Sequence, residues 1–232
     1  MPEHPVFVKT IVTMDMAARI AADYGVKTVD VLTGFKFIGD QIARLEAEGR
    51  ENDYILGFEE SYGYLSGSYV RDKDAVDGAF LICEMAAYYR SKGMGLLEVL
   101  EGLYEKYGFC LNTLHSYEFE GMEGFEKMKG IMNRLHTMAS RIAEGEAVCI
   151  GGRKTEAVED YLSGTISRAD KTTEPIAGLP SSDVLKFRLA GNASVVVRPS
   201  GTEPKLKLYI SVSAEDKAKA QAEEEKITAQ ME

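Results

Sequence analysis

The sequence predicts two successive domains of different class. Residues 1–110 read as an α/β domain with a mainly parallel sheet, and residues 111–232 as an α+β domain with an antiparallel sheet and helices on one side. Three observations carry this. Strand-like and helix-like segments alternate through the first half at the lengths of βαβ units. In the second half the clearest strands alternate apolar with polar residues and are joined by short turns. Between the halves, residues 109–116 are polar-punctuated and lack a period, which is where a domain boundary is expected.

Taken in order, Val6 to Val12 reads as a buried strand interrupted by Lys9-Thr10. Ala17, Ile20, Ala21 and Tyr24 share one helical face, with Gly25 as the stop. Residues 26–32 form the next strand. Phe35, Ile38, Ile42 and Leu45 mark a second helix, and residues 54–58 a third strand. Asp74 suits the N-cap of a helix to about Ser91, whose stripe Val76, Phe80, Cys83 and Ala87 is expected in the core. Leu96, Leu100, Leu103 and Tyr107 mark another helix, closed by Gly108.

The second half opens with an expected strand at residues 117–119 and a helix burying Phe125, Met128, Met132 and Leu135. A short strand is expected at 147–150, and residues 156–180 read as loop-rich. Leu185, Phe187 and Leu189 alternate with Lys186 and Arg188, and residues 190–192 turn the chain into Ser194-Val195-Val196-Val197. Leu206, Leu208, Ile210 and Val212 alternate in the strand after the next loop. The last helix, capped near Ser213 and Asp216, is rich in Ala, Lys and Glu, and its charges read as a solvated face.

Composition sets outer bounds. At 232 residues and 45% hydrophobic, the chain can bury a core in each of two domains. No apolar run approaches the roughly 20 residues that span a bilayer, and no signal pattern opens the chain. A net charge of −10 argues against a nucleic-acid-binding surface, while leaving room for a local basic pocket. Cys83, Cys110 and Cys149 are odd in number and form no CxxC, so core thiols in a reducing cytoplasm are expected. No His cluster, Walker sequence or G-x-G-x-x-G fingerprint is present.

Two loops carry chemistry. Arg198-Pro199-Ser200-Gly201-Thr202-Glu203-Pro204-Lys205 joins two strands, and its residue types suit an anion. Arg198 offers a planar fork to phosphate oxygens. Gly201 lets successive N–H groups turn inward as a nest, Ser200 and Thr202 add hydroxyls, and Lys205 adds a mobile charge. A Gly/Pro hairpin with incidental charges is the alternative reading. The other loop, Glu59-Glu60-Ser61-Tyr62, follows a strand of a parallel sheet, where open α/β sheets place ligands. Glu59 can accept from vicinal hydroxyls and Ser61 can donate or accept. Without further context, an acidic surface turn is the reading these residues favour.

The first loop resembles the phosphate-binding loop in the last domain of the α-D-phosphohexomutases, the phosphoglucomutase/phosphomannomutase superfamily. Residues 58–62 resemble that family's G-E-x-S-G sugar-recognition loop, with Phe58 and Tyr62 in place of glycines. The run Glu59-Glu60-Ser61-Tyr62-Gly63 is closer to the long-chain phosphoglucomutase and phosphopentomutase-like branch. Thr33-Gly34-Phe35-Lys36 resembles its T-G-x-K segment, and Val70-Arg71-Asp72-Lys73-Asp74 the segment after the sugar loop.

The resemblance implies the third and fourth domains of an enzyme that interconverts sugar 1-phosphate and sugar 6-phosphate. Such an enzyme works through a phosphoserine and a sugar bisphosphate, with magnesium. The family's phosphoserine loop and magnesium loop have no counterpart here. No catalytic or metal residue is therefore assigned in this chain, and alone it is expected to be inactive. Its implied partners are a phosphosugar and the N-terminal domains of the same polypeptide. Sugar binding falls to Glu59, Ser61 and Lys36, the alternative for Lys36 being a surface lysine whose stem covers Phe37. Phosphate binding falls to Arg198, Ser200, Gly201, Thr202 and Lys205. For one phosphosugar to touch both sets, the loops must share a cleft, with a hinge expected near residues 109–116. A pentose phosphomutase and a non-catalytic phosphosugar-binding module are the competing readings.

Overall fold

The structure, a computed structural model, describes residues 1–200 and 203–231. The chain divides into two compact units, Met1–Gly108 and Phe109–Glu232.

The first unit is a four-stranded sheet ordered β2-β1-β3-β4, built from β1 (Val6–Thr10), β2 (Lys27–Val31), β3 (Tyr54–Glu59) and β4 (Gly63–Leu65). β1 runs parallel to β2 and β3, and only the hairpin partner β4 is antiparallel. All five β1 residues are buried, as a central strand between covered faces requires. α1 (Met16–Asp23) packs Ala21 against Phe7. α2 (Phe35–Ala47) lies on the alternate face, where Ile38 approaches Gly57 opposite Val8.

α3 (Ala75–Ser91) starts as the sequence indicates, with Asp74 accepting from the N–H groups of Val76 and Asp77. α4 (Leu96–Tyr107) follows and stops at Gly108. The expected core stripe on α3 is not buried. Val76 is 79% exposed and Phe80 66%, and Cys83 and Ala87 are exposed too. Periodicity reports that a face is apolar; what covers it is a tertiary fact. The thiols differ from expectation for the same reason, with Cys110 alone buried.

The second unit is an antiparallel sheet ordered β5-β12-β11-β10-β7-β8-β9. Its strands are β5 (Phe109–Glu118), β6 (Cys149–Ile150), β7 (Arg153–Asp160), β8 (Thr165–Arg168), β9 (Thr173–Pro175), β10 (Leu185–Leu189), β11 (Ala193–Pro199) and β12 (Lys205–Ala214), with β6 paired to β7. α5 (Gly121–Ala143) and α6 (Lys217–Met231) pack on one face. That face holds the core: Leu185, Phe187 and Leu189 of β10, Val195 and Val197 of β11, and the alternating residues of β12. Each such side chain contributes about 1.5–3 kcal/mol by burial.

Three expectations about this unit are corrected. Residues 109–116 are not an irregular connection but most of β5, paired with β12 along ten residues. Its inward face carries Thr113 and His115, which contact Glu224 of α6 at 2.7 Å each. Polar residues on the inward face hid the alternation. By the same token Glu224 is buried rather than solvated. Within residues 156–180, expected as loop, the end of β7 and all of β8 and β9 form a meander. Glu156, Glu159 and Asp160 obscure β7, and its pairing with β10 makes it a strand.

Candidate functional site

The sugar-loop residues sit on the β3–β4 hairpin, where Glu59 pairs with Gly63 and three residues make the turn. A three-residue hairpin loop normally ends in a left-handed residue, usually glycine. Here Tyr62 takes that position, with φ 64° and 87% of its surface exposed. Phe58, the other departure from the family pattern, is absorbed by packing, its ring 5.4 Å from that of Phe7 and 6.2 Å from that of Tyr64.

Glu59 turns back under the hairpin and is only 6% exposed. A Cβ on Gly63 would fall 2.7 Å from Glu59 Oε1 and 2.9 Å from the Phe35 ring, so this approach requires glycine. Burial pushes the Glu59 carboxyl above its ordinary range. Lys73 opposes that shift, while Glu60 and Asp72 reinforce it. Lys73 Nζ lies 3.8 Å from Glu59 Oε1 and 5.8 Å from the centre of the Phe35 ring.

Ser61 is exposed on the turn. Lys36 is exposed in the first turn of α2, its ammonium 4.8 Å from the centre of the Phe37 ring. The cation beside Glu59 is Lys73. Thr33, in the same motif as Lys36, has a buried hydroxyl oxygen without a partner.

The phosphate-loop residues join β11 to β12. The Ser200 N–H donates to the Lys205 carbonyl at 2.7 Å, and the Lys205 N–H to the Glu203 carbonyl at 2.7 Å. Gly201 and Thr202 lie outside the described residues. Arg198 is paired directly across the strands with Lys207, so both point to the sheet face away from the helices. Like charges placed opposite each other destabilise a sheet, and no described carboxylate forms an ion pair with either. By contrast, the Lys205 ammonium stands 3.0 Å from Glu118 and 3.0 Å from Glu203. Hydrogen bonds to these two carboxylates raise its pKa. On the same face, Arg188 is matched by Glu159.

Lys73 and Lys207 were not singled out from the sequence. The signal for Lys207 was there: closing the hairpin on residues 198–205 sets 198 against 207, but only once the register is known. Lys73 reaches Glu59 from a segment well beyond the hairpin turn, and no local pattern announces such a contact.

Among the described residues, no group of three or more His, Cys, Asp or Glu side chains is arranged to hold a metal ion. A cavity of about 780 Å³ in the second unit is lined by Val197, Leu206 and Leu208, on the helix-bearing face opposite Arg198 and Lys207. No described helix is long and apolar enough to cross a membrane.

Comparison with known proteins agrees with both halves. Residues 1–107 match the model for phosphoglucomutase/phosphomannomutase, alpha/beta/alpha domain III. Residues 150–228 match that for the phosphoglucomutase/phosphomannomutase C-terminal domain. A phosphoglucomutase of Staphylococcus aureus (strain MRSA252) is 38% identical over 213 residues, which is 92% of this chain and 37% of the relative. The chain thus spans a little over a third of the curated relatives it matches. Among solved structures, pp63/parafusin (a phosphoglucomutase) from Paramecium in its open form superposes with a TM-score of 0.64 at 19% identity, covering 97% of this chain and 37% of that one. A phosphoglucomutase/phosphomannomutase family protein from Burkholderia thailandensis gives 0.51 at 15% identity, covering 98% and 37%. At these identities the structures speak for the fold.

Proposed function

The chain belongs to the phosphoglucomutase/phosphomannomutase family, of which it carries the third and C-terminal domains, and on that premise we propose that it is the substrate-binding portion of a cytoplasmic phosphohexomutase. In this reading the larger enzyme interconverts sugar 1-phosphate and sugar 6-phosphate through a phosphoserine and a sugar bisphosphate. The phosphoserine and magnesium belong to the preceding domains. Glu59 and Ser61 read the sugar hydroxyls, with Lys36 at the rim, and Lys73 balances the Glu59 charge. Arg198, Ser200, Gly201 and Thr202 hold the phosphate, with Lys205 at the edge of their loop.

The observation that supports this most directly is the Arg198–Lys207 pair. Two cations set opposite each other across two strands, with no ion-pairing carboxylate among the described residues, are relieved by a dianionic phosphate. A carboxylate that reads paired hydroxyls and a loop that reads any phosphate suit a sugar presented in either orientation. That is what a mutase requires of its clamps. The name of the staphylococcal relative favours glucose phosphate over a pentose phosphate.

The test is titration of the chain with glucose 1-phosphate, ribose 1-phosphate and inorganic phosphate, followed by amide NMR shifts. Glucose 1-phosphate should bind and remain unconverted. Arg198→Ala should cost about 1.5–3 kcal/mol for each charge-assisted bond lost. Arg198→Lys should recover part of this, because an ammonium cannot make the fork contact. Unchanged phosphate binding in the alanine variant would reject the loop as the phosphate site.

A further inference from the structure

β1 carries a lysine that neither core packing nor substrate contact explains. Lys9 is fully buried. Its ammonium donates to Asp15 Oδ1 at 3.1 Å and to the Thr13 carbonyl at 3.1 Å. It also stands 2.9 Å from Asp30 Oδ1, on the β2 residue directly opposite it in register. That Asp30 oxygen is off the hydrogen-bonding direction, so it acts as a charge partner. Burial by itself would lower the Lys9 pKa. The two aspartates more than offset this and hold it above its ordinary value. A charged lysine therefore pins residues 10–15, the connection leaving β1, against β2.

The pinned segment reaches the sugar loop. The Thr10 hydroxyl donates to Glu60 Oε2 at 2.9 Å, and the Thr13 hydroxyl approaches the same oxygen at 3.4 Å. The two hydroxyls lie 2.8 Å from each other. Thr10 and Thr13 are both buried. Glu60 is the residue between Glu59 and Ser61, and two positions on, Tyr62 holds the left-handed backbone that side chains avoid. A strained turn of this kind persists only where its surroundings hold it.

We propose that Lys9 is a positioning residue for the sugar loop: acting through Thr10 and Thr13, it keeps the Glu60 carboxylate turned inward and so presents Glu59 and Ser61 in a fixed arrangement before any sugar arrives. The proposal rests on the sugar-binding reading of that loop given above. Its physical benefit is preorganisation, since a loop already ordered loses less freedom on binding. It also takes Glu60 out of the sugar-reading set, although the sequence places Glu60 beside Glu59 with the same chemistry.

The experiment compares the full chain with a Thr10→Val, Thr13→Val double variant, which removes both hydroxyls, keeps the side-chain shape and leaves Lys9 with its aspartates. Lys9→Met is the harsher companion, because it takes the buried cation away from Asp15 and Asp30. Amide hydrogen exchange at residues 59–63 should quicken about tenfold in the valine variant, the effect of losing one or two hydrogen bonds, with the rest of residues 1–108 unchanged. Glucose 1-phosphate affinity should fall about fivefold to tenfold on the same grounds, while inorganic phosphate affinity stays as it was. Serine at both positions, restoring the hydroxyls, should recover exchange and affinity together. Unchanged exchange in the valine variant overturns the proposal. So does a loosened loop with undiminished glucose 1-phosphate affinity, which would make the network purely structural. If the unsubstituted chain binds inorganic phosphate but gains nothing from the sugar, the sugar-loop reading itself fails, a result seen before any substitution is made.

Discussion

Glu59 is a buried carboxyl whose burial works against the fold. Its carboxyl is buried under the hairpin and its pKa is raised, so the folded protein holds the proton more tightly than the unfolded chain does. For an acid shifted upward, the folded state is favoured at low pH. That advantage is lost as pH rises from the unfolded value near 4.5 through the raised folded one. Above the unfolded value, and so at neutral pH, the raised pKa of Glu59 therefore costs the first unit stability. Glu59→Gln, which keeps shape and hydrogen-bonding capacity, should melt higher than the unsubstituted protein at pH 7 and lose that advantage near pH 4. Melting curves across this range provide the check, and a lower melting temperature at pH 7 would contradict it. The same variant should bind glucose 1-phosphate less well, the exchange of stability for function expected of a strained site.

At the scale of elements, the junction between β5 and α6 is polar where a hydrophobic contact would be usual. Glu224 accepts from Thr113 and Thr228, and His115 lies 2.7 Å away. Burial alone would raise its pKa, but the hydrogen bonds outweigh burial and lower it. A depressed carboxylate contributes stability that is complete above its unfolded value near 4.5 and is lost as pH falls through the folded one. Glu224→Ala leaves buried donors unmatched and should cost about 2–3 kcal/mol at pH 7, measured by denaturant unfolding, with the difference shrinking in acid. This junction is also where sequence pattern misled. Residues 109–116 lack apolar alternation because their inward positions are matched to a glutamate more than a hundred residues away. Conversely, the apolar stripe of α3 promised burial that its own unit does not supply.

At the scale of the molecule, each unit carries its own sheet and its own buried side chains. The large cluster of the second unit draws on β5, both helices and the central strands, all between residues 109 and 232. A chain of those residues should therefore fold alone and unfold cooperatively, with near-UV dichroism and a single denaturant transition as the readout. A molten, non-cooperative species would show that the unit depends on the first. α3 predicts the opposite for the first unit: with Val76 and Phe80 exposed, residues 1–108 alone should self-associate more readily.

By itself the sequence determined the two fold classes, the family and the order of most strands and helices, and it singled out the two loops proposed to bind substrate. It could do so because strand alternation, helical period, glycine stops and an Arg-x-Ser-Gly-Thr-Glu-Pro run are all local. The tertiary structure decided which charges stand together. Lys73 beside Glu59, Lys207 opposite Arg198, Lys205 matched by Glu118, and Lys9 linked through two threonines to Glu60 are contacts between segments far apart in the chain or set by strand register. Local pattern specifies which face of an element is apolar. Only the packing of distant segments specifies which charges stand together.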